Sequence, residues 1–355
     1  MLRIKILVPI IVGVGGGVIV GLLASQLWNP SWNPFGMSAE QILERSMGKL
    51  MSVESFKTQG NITLSIKSKS DELGPLDIIF DFSGKTDQSN PTNIKNENEL
   101  SVKFGIGKAQ ISGKVLTKTV DNIFYFNLAE SPTIPFFGAM FKTLENQWVR
   151  VTQEDLTSEV GKEQEKFNFL EEIKQILEKR KIISVKKDLG RAKIDDSTVY
   201  HYLLEVNREE LKKAIPEFLK RIEQYVPKEE KTDYQQRIEE FLDNFSEQFD
   251  QIYDKVGDIT FEVWIEKGSL YLKKIEGEKM LDLSKFEQFQ NTEAANAEIK
   301  ISFNVKFSEF GERFDIRAPE GAKPLKEIMP PVNEDYATSS LFGPPGSAPQ
   351  PLPGE

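Results

Sequence analysis

Histidine and cysteine, the residues most used in acid–base and nucleophilic catalysis, are almost absent from this chain, and the spacing of the other candidates matches no catalytic motif. The sequence has one histidine and no cysteine, which excludes thiol nucleophiles, thiolate metal sites and His-rich metal sites. It contains no G-x-S-x-G, P-loop or H-E-x-x-H motif. Nothing marks an acid–base pair among the 55 carboxylates, and Asp195-Asp196 is typical of a turn. We therefore expect no enzyme activity, no cofactor and no metal site, and an enzyme without a recognisable motif is the remaining alternative.

The histidine, His201, lies in a segment whose alternate residues are apolar. Tyr200, Tyr202, Leu204 and Val206 share one face of the predicted strand. The imidazole is therefore expected to point to the opposite side, which favours a structural role over pH sensing.

The side chains best suited to binding are aromatic. Residues 234–256 have the pattern of a long amphipathic helix with an aromatic stripe and a charged opposite face. The apolar, Pro-rich loop 129–141 is a candidate cavity mouth or membrane-touching loop. Both segments have a plainer interpretation, as core packing and as a loop tucked under a helix. The candidates for lining an apolar cavity are Phe136, Phe137, Phe141, Phe218, Phe241, Phe245, Phe249 and Trp264.

The composition is that of a globular domain with an acidic surface. Charged residues make up 28% and hydrophobic residues 39% of the chain, and the net charge is −10. Because an acidic surface repels phosphate backbones, nucleic acid is not an expected partner.

The N-terminus has the pattern of a membrane anchor. Residues 6–28 contain no charge, and at 1.5 Å per residue they span roughly 30 Å, about one hydrocarbon core. Arg3 and Lys5 precede them and the next basic residue is Arg45, so residues 1–5 are predicted to be cytoplasmic and the main domain extracytoplasmic. Residues 29–37 would form a stalk. A cleaved signal peptide is the alternative, but no A-x-A site follows, and Ser25 stands where a lipobox has its cysteine.

Strand patterns and helix patterns alternate between the stalk and residue 322. Ser38 and Gln41 predict a capping box for a first helix that ends near Ser52. Further helices are predicted at 167–181, 211–225 and 234–256. Alternation of apolar and polar residues predicts strands at Phe56–Lys67, Leu76–Phe82, Asn98–Phe104, Ala109–Thr117, Asn122–Leu128, Gln147–Val151, Ile182–Lys187, Thr198–Val206, Ile259–Ile265, Leu270–Glu278 and Ile299–Phe307.

This order of elements predicts one α+β domain over residues 38–322. Runs of strands with helices grouped between them favour a curved antiparallel sheet with helices on one face. Nine of the 18 prolines lie between Pro319 and Pro353, so residues 323–355 are predicted to be a disordered, Pro-rich tail.

Several segments of this domain resemble, in chain order, the LolA-like lipoprotein carriers and the LppX/LprG-like lipoproteins. The resemblance is spread over residues 38–322. The matching segments are Ile42–Phe56 at the first helix and strand, Thr198–Tyr202 in a middle strand, Asp258–Ile265 and Leu272–Gly277 in the late hairpin, and Phe307–Glu312 with the I-x-A-P-E-G-A ending Ile316–Ala322.

The resemblance implies a half-open β-barrel with helices over its concave face, an apolar cavity between them, and no catalytic residues. This chain departs from it by lacking the lipobox cysteine and by a long helical insert, Arg208 to Val256. We therefore expect an anchored extracytoplasmic protein that binds a lipid or another apolar small molecule. The alternative is a structural or interaction module that holds an envelope protein.

Overall fold

The computed structural model describes residues 37–68, 75–90, 92–106, 109–131, 142, 144–152, 175–176, 179–226, 228–286, 289–290, 292 and 296–328. Among these residues no helix is both long enough and apolar enough to cross a membrane. The predicted anchor, the stalk up to residue 36 and most of the predicted helix 167–181 lie outside them.

Twelve strands form a single open, curved sheet in the order β12-β6-β5-β4-β3-β2-β1-β11-β10-β9-β8-β7. The strands are β1 Ser55–Ser68, β2 Leu76–Asp87, β3 Lys95–Ile106, β4 Ala109–Val120, β5 Ile123–Glu130, β6 Trp148–Val151, β7 Ile183–Ile194, β8 Ser197–Val206, β9 Thr260–Glu266, β10 Leu272–Asp282, β11 Ala297–Ser308 and β12 Lys323–Pro324. Each of the eleven predicted strands is therefore present, and several are longer than predicted.

The expectation of a purely antiparallel sheet was wrong at one edge. All the other strand pairs are antiparallel, but β12 pairs with β6 in parallel, through Lys323 with Val149 and Pro324 with Arg150. The chain reaches this edge because residues 309–322 cross from the end of β11 to β6. Lys323 and Pro324, which follow the predicted domain boundary, are thus the last strand of the sheet.

Four α-helices accompany the sheet in the described part of the chain. They are α1 Ala39–Ser52, α2 Arg208–Ile222, α3 Lys228–Val256 and α4 Leu325–Ile328, with short 3₁₀ turns at Glu223–Tyr225 and Leu283–Lys285. The predicted capping box is confirmed, because the Ser38 hydroxyl accepts from Gln41 N–H and the Gln41 side chain accepts from Ser38 N–H.

The two faces of the sheet differ because side chains alternate along each strand. We call the face that carries Leu64, Leu204, Val263 and Ile275 the helix face, since these residues pack in one core with Met47 of α1. The opposite face is called the outer face. A second, smaller core lies there, where Ile316 of the C-terminal segment packs on Val120 and Tyr125.

Candidate ligand-binding face

The helix face of strands β2 to β5 is apolar and remains partly exposed. Strand register places one set of apolar side chains together there. We call this set the open face. It consists of Leu76, Ile78, Phe80, Phe82, Leu100, Val102, Phe104, Ile111, Val115, Phe124, Phe126 and Leu128.

Burial separates the open face from the rest of the helix face. On the other half of the sheet, Leu204, Val263 and Ile275 are each 0% exposed, and α1 contacts β7, β9 and β10. On the open face, Leu100 is 37% exposed and Phe124 is 42% exposed, and the other members are half-buried. A contiguous apolar surface that stays accessible to solvent is typical of an interaction site.

The open face carries no charge. Every Asp, Glu, Lys and Arg in β1 to β5 has a register position on the outer face, where Lys103 pairs with Asp81 at 3.0 Å and Lys114 with Glu99 at 2.7 Å. The open face ends in an uncharged polar group of side chains. Asn98 Nδ2 donates to Asn96 Oδ1 at 3.2 Å and to Thr117 Oγ1 at 3.4 Å.

Two strand glycines shape this region. The Phe82 ring lies over Gly60, where an added Cβ would stand 2.8 Å from Cζ. At Gly84 an added Cβ would stand 2.1 Å from Asn98 Oδ1. Glycine at these two positions therefore leaves room for side chains of neighbouring strands.

The predicted aromatic stripe of α3 is present as a continuous ladder. Ring centroids are 5.3 Å apart between Phe241 and Phe245, 5.5 Å between Phe245 and Phe249, and 5.7 Å between Phe249 and Tyr253. Phe245 is buried and Phe241 is 43% exposed. Phe249, like Phe218 of α2, packs against the main core. These four predicted site residues thus share the helical layer, and their part in binding stays a prediction.

Trp264 does not share that layer. Its strand partner on β8 is His201, and its neighbours Val263 and Ile265 take the helix face. The indole lies on the outer face, stacked on the His201 ring at 4.4 Å, with Lys274 Nζ 4.4 Å from its centroid. The structure therefore corrects the placement of Trp264 in a cavity beneath the helices. It confirms the expected outward position of His201, whose Nε2 contacts Glu262 Oε2 at 2.6 Å.

The predicted site residues Phe136, Phe137 and Phe141 lie outside the described residues. The open face itself was not among the predicted site residues. The signal for it was already in the sequence, because β2 and β3 alternate between apolar and polar residues. The alternation does not show which apolar strand face the helices leave uncovered.

Two depressions elsewhere on the surface are polar. One, of about 400 Å³, lies between the end of β8 and the end of α3 and is lined by Glu205, Arg208 and Asp258. Its charges are already paired, since Arg208 binds Asp254 and Lys186 binds Glu205 and Asp258. The other, of about 470 Å³, lies on the outer face around Asn61 and Asn304. Neither has the lining of an apolar ligand site.

No family model matches the chain, and no curated protein sequence matches it. Solved structures do. LprF from Mycobacterium bovis is 10% identical with a TM-score of 0.35, over 79% of this chain and 95% of that one. The Mycobacterium tuberculosis lipoprotein LppX is 11% identical with a TM-score of 0.28, over 78% and 96%. A LolA superfamily protein from Nitrosomonas europaea is 11% identical with a TM-score of 0.18, over 80% and 96%.

Two of these names, LppX and LolA, are also those of the groups that the sequence segments resemble. At identities of 10–11% and TM-scores of at most 0.35, these matches show neither a ligand nor an activity for this chain.

Proposed function

We propose that this protein binds a lipid or another apolar small molecule on the open face, without catalysis. One observation carries the proposal: the apolar residues of β2 to β5 stay partly exposed, with Leu100 at 37% and Phe124 at 42%, while Leu204, Val263 and Ile275 on the same face of β8 to β10 are 0% exposed. Covering them with acyl chains would contribute about 0.8 kcal/mol for each buried CH₂ group. No bond needs to be made or broken, and the described residues hold no group of metal-binding side chains.

The proposal includes an anchored, extracytoplasmic location. Its basis is the uncharged segment 6–28 with Arg3 and Lys5 before it. Anchoring would keep the open face close to a membrane, the source of apolar ligands, and would favour a static binder over a freely diffusing carrier.

A structural or interaction module is the second candidate, because an exposed apolar face also suits an apolar segment of another protein. Mass spectrometry of the full chain, purified from a membrane-containing host, separates the two. Under native conditions we expect a stoichiometric lipid, which solvent extraction releases and identifies. A clean mass, together with no uptake of added fatty acid, phospholipid or diacylglycerol, would contradict lipid binding and favour the interaction module.

A variant with a charge on the open face tests whether the lipid binds there. Leu100→Glu changes a residue that is already 37% exposed, so folding should survive while an acyl chain meets an unpaired carboxylate. Gln110→Glu adds the same charge to an exposed position on the outer face of β4 and should leave the bound lipid in place. Equal lipid content in the two variants would show that the ligand lies elsewhere.

A further inference from the structure

We infer, resting on the proposed function, that the ligand is an uncharged lipid whose polar end lies against Asn96, Asn98 and Thr117. This class excludes free fatty acids and phospholipids as preferred ligands. It includes lipids whose polar end is made of ester and hydroxyl groups.

The first reason is the distribution of charge. The open face and the neighbouring helix face of β1 hold no acidic or basic residue, since all those of β1 to β5 point to the outer face. A carboxylate or phosphate placed on this face would lose its hydration without meeting a counter-charge from strands β1 to β5. Burying an unpaired charge is strongly unfavourable, so the face selects against such ligands.

The second reason is the polar group of side chains at one end of the face. Asn98 is the register partner of both Gly84 on β2 and Thr117 on β4. Its amide donates to Asn96 and Thr117 at 3.2 and 3.4 Å. Because the oxygens of Asn96 and Thr117 accept these bonds, the Thr117 hydroxyl hydrogen and the Asn96 amide hydrogens can be donated to another acceptor. Neutral donors of this kind match the ester and hydroxyl oxygens of an uncharged headgroup.

The third reason is that the arrangement is held in place. Asn98 fits closely against β2 only because residue 84 is glycine, since a Cβ there would stand 2.1 Å from its Oδ1. All three polar side chains are half-buried. A polar group next to a charge-free apolar surface gives a ligand with a neutral head and apolar chains one preferred orientation.

The test compares ligands that differ only in their polar end. The full chain, extracted free of lipid, is titrated with dioleoylglycerol, oleate, dioleoylphosphatidylglycerol and hexadecane by displacement of a fluorescent probe. We expect dioleoylglycerol to bind roughly tenfold or more tightly than either charged lipid. Equal affinities would overturn the inference and leave the proposed function standing. No uptake of any of the four would overturn both.

Two variants locate the polar end. Asn98→Leu should weaken dioleoylglycerol binding by roughly tenfold, because two hydrogen-bonding groups are lost, and should leave hexadecane binding unchanged. Asn61→Leu makes the same replacement on the outer face and should change neither. Thr117→Lys supplies the missing counter-charge and should raise oleate affinity. If Asn98→Leu weakens hexadecane binding as much as dioleoylglycerol binding, the Asn98 side chain does not recognise the headgroup.

Discussion

The ring of Phe82 on β2 lies directly over Gly60 on β1, its register partner. A Cβ added to Gly60 would stand 2.8 Å from the Phe82 Cζ and 2.3 Å from the carbonyl oxygen of Asn304. An aromatic side chain thus covers a strand glycine at the junction between the buried half of the helix face and the open face. The same relationship recurs between Phe303 and Gly277, where the nearest ring carbon would be 2.5 Å away.

Replacing Gly60 should therefore destabilise the protein. In Gly60→Ala the Phe82 ring can rotate away, but the Asn304 carbonyl belongs to the backbone of β11 and cannot move without disturbing the ladder. We expect a loss of about 1–3 kcal/mol in the free energy of unfolding, measured by urea denaturation. Gly268→Ala is the control, because nothing lies within 4 Å of its added Cβ. Equal midpoints for the two variants would contradict the close packing.

Trp264 offers a test of which face binds the ligand. Trp264→Phe removes part of the stack with His201 and of the contact with Lys274 Nζ, so the free energy of unfolding should fall by about 1 kcal/mol. Lipid content measured by mass spectrometry should not change, since the ring lies on the outer face. A loss of lipid in this variant, with the fold intact by circular dichroism, would restore Trp264 to the ligand site.

Alternation in the sequence predicted the strands well because each has one apolar and one polar side. The same alternation places Trp264 with Thr260 and Glu262 on the polar side of β9, which is the side that its indole takes in the structure. The aromatic character of Trp264 suggested a position in an apolar cavity, but the ring contacts with His201 and Lys274 also stabilise an indole on the outer face.

The parallel pairing of β12 with β6 could not be predicted in the same way. Lys323-Pro324 is too short for any periodicity, and its pairing depends on where Ile316 anchors the preceding segment on Val120 and Tyr125. The exposure of the open face could not be predicted from the sequence for a related reason. Whether an apolar strand face is buried depends on which elements reach it in space, and local pattern does not contain that information.

Glu266 should make the stability depend on pH at the acidic end. Hydrogen bonds from the Ser197 hydroxyl, at 2.5 Å, and from the Ser269 hydroxyl lower the pKa of its carboxyl, against a smaller opposing effect of burial. A lowered folded-state pKa means that the ionised form stabilises the fold above the unfolded value of about 4.3, and that this stability is lost as the pH falls further.

The measurement is the urea midpoint of the wild type and of Glu266→Gln at neutral pH and near pH 3. The difference in urea midpoint between the two proteins should be largest at neutral pH. It should shrink in acid, where protonation makes the wild-type carboxyl uncharged like the glutamine amide. Glu320→Gln removes an exposed carboxyl and should follow the wild type closely. A difference that stays constant with pH would mean that Glu266 acts by shape and not by charge.

The proposed anchor predicts how the full chain partitions in cells. Residues 6–28 should keep it in the membrane pellet after alkaline extraction, and a chain that begins at Met37 should be released, because nothing else in the sequence has that length of uncharged residues. Intact mass then distinguishes an anchor from a signal peptide. A mass that includes residues 1–28 supports the anchor, whereas a mature chain that starts after Ala24 or Ser25 would show cleavage and would free the domain to carry its ligand between membranes.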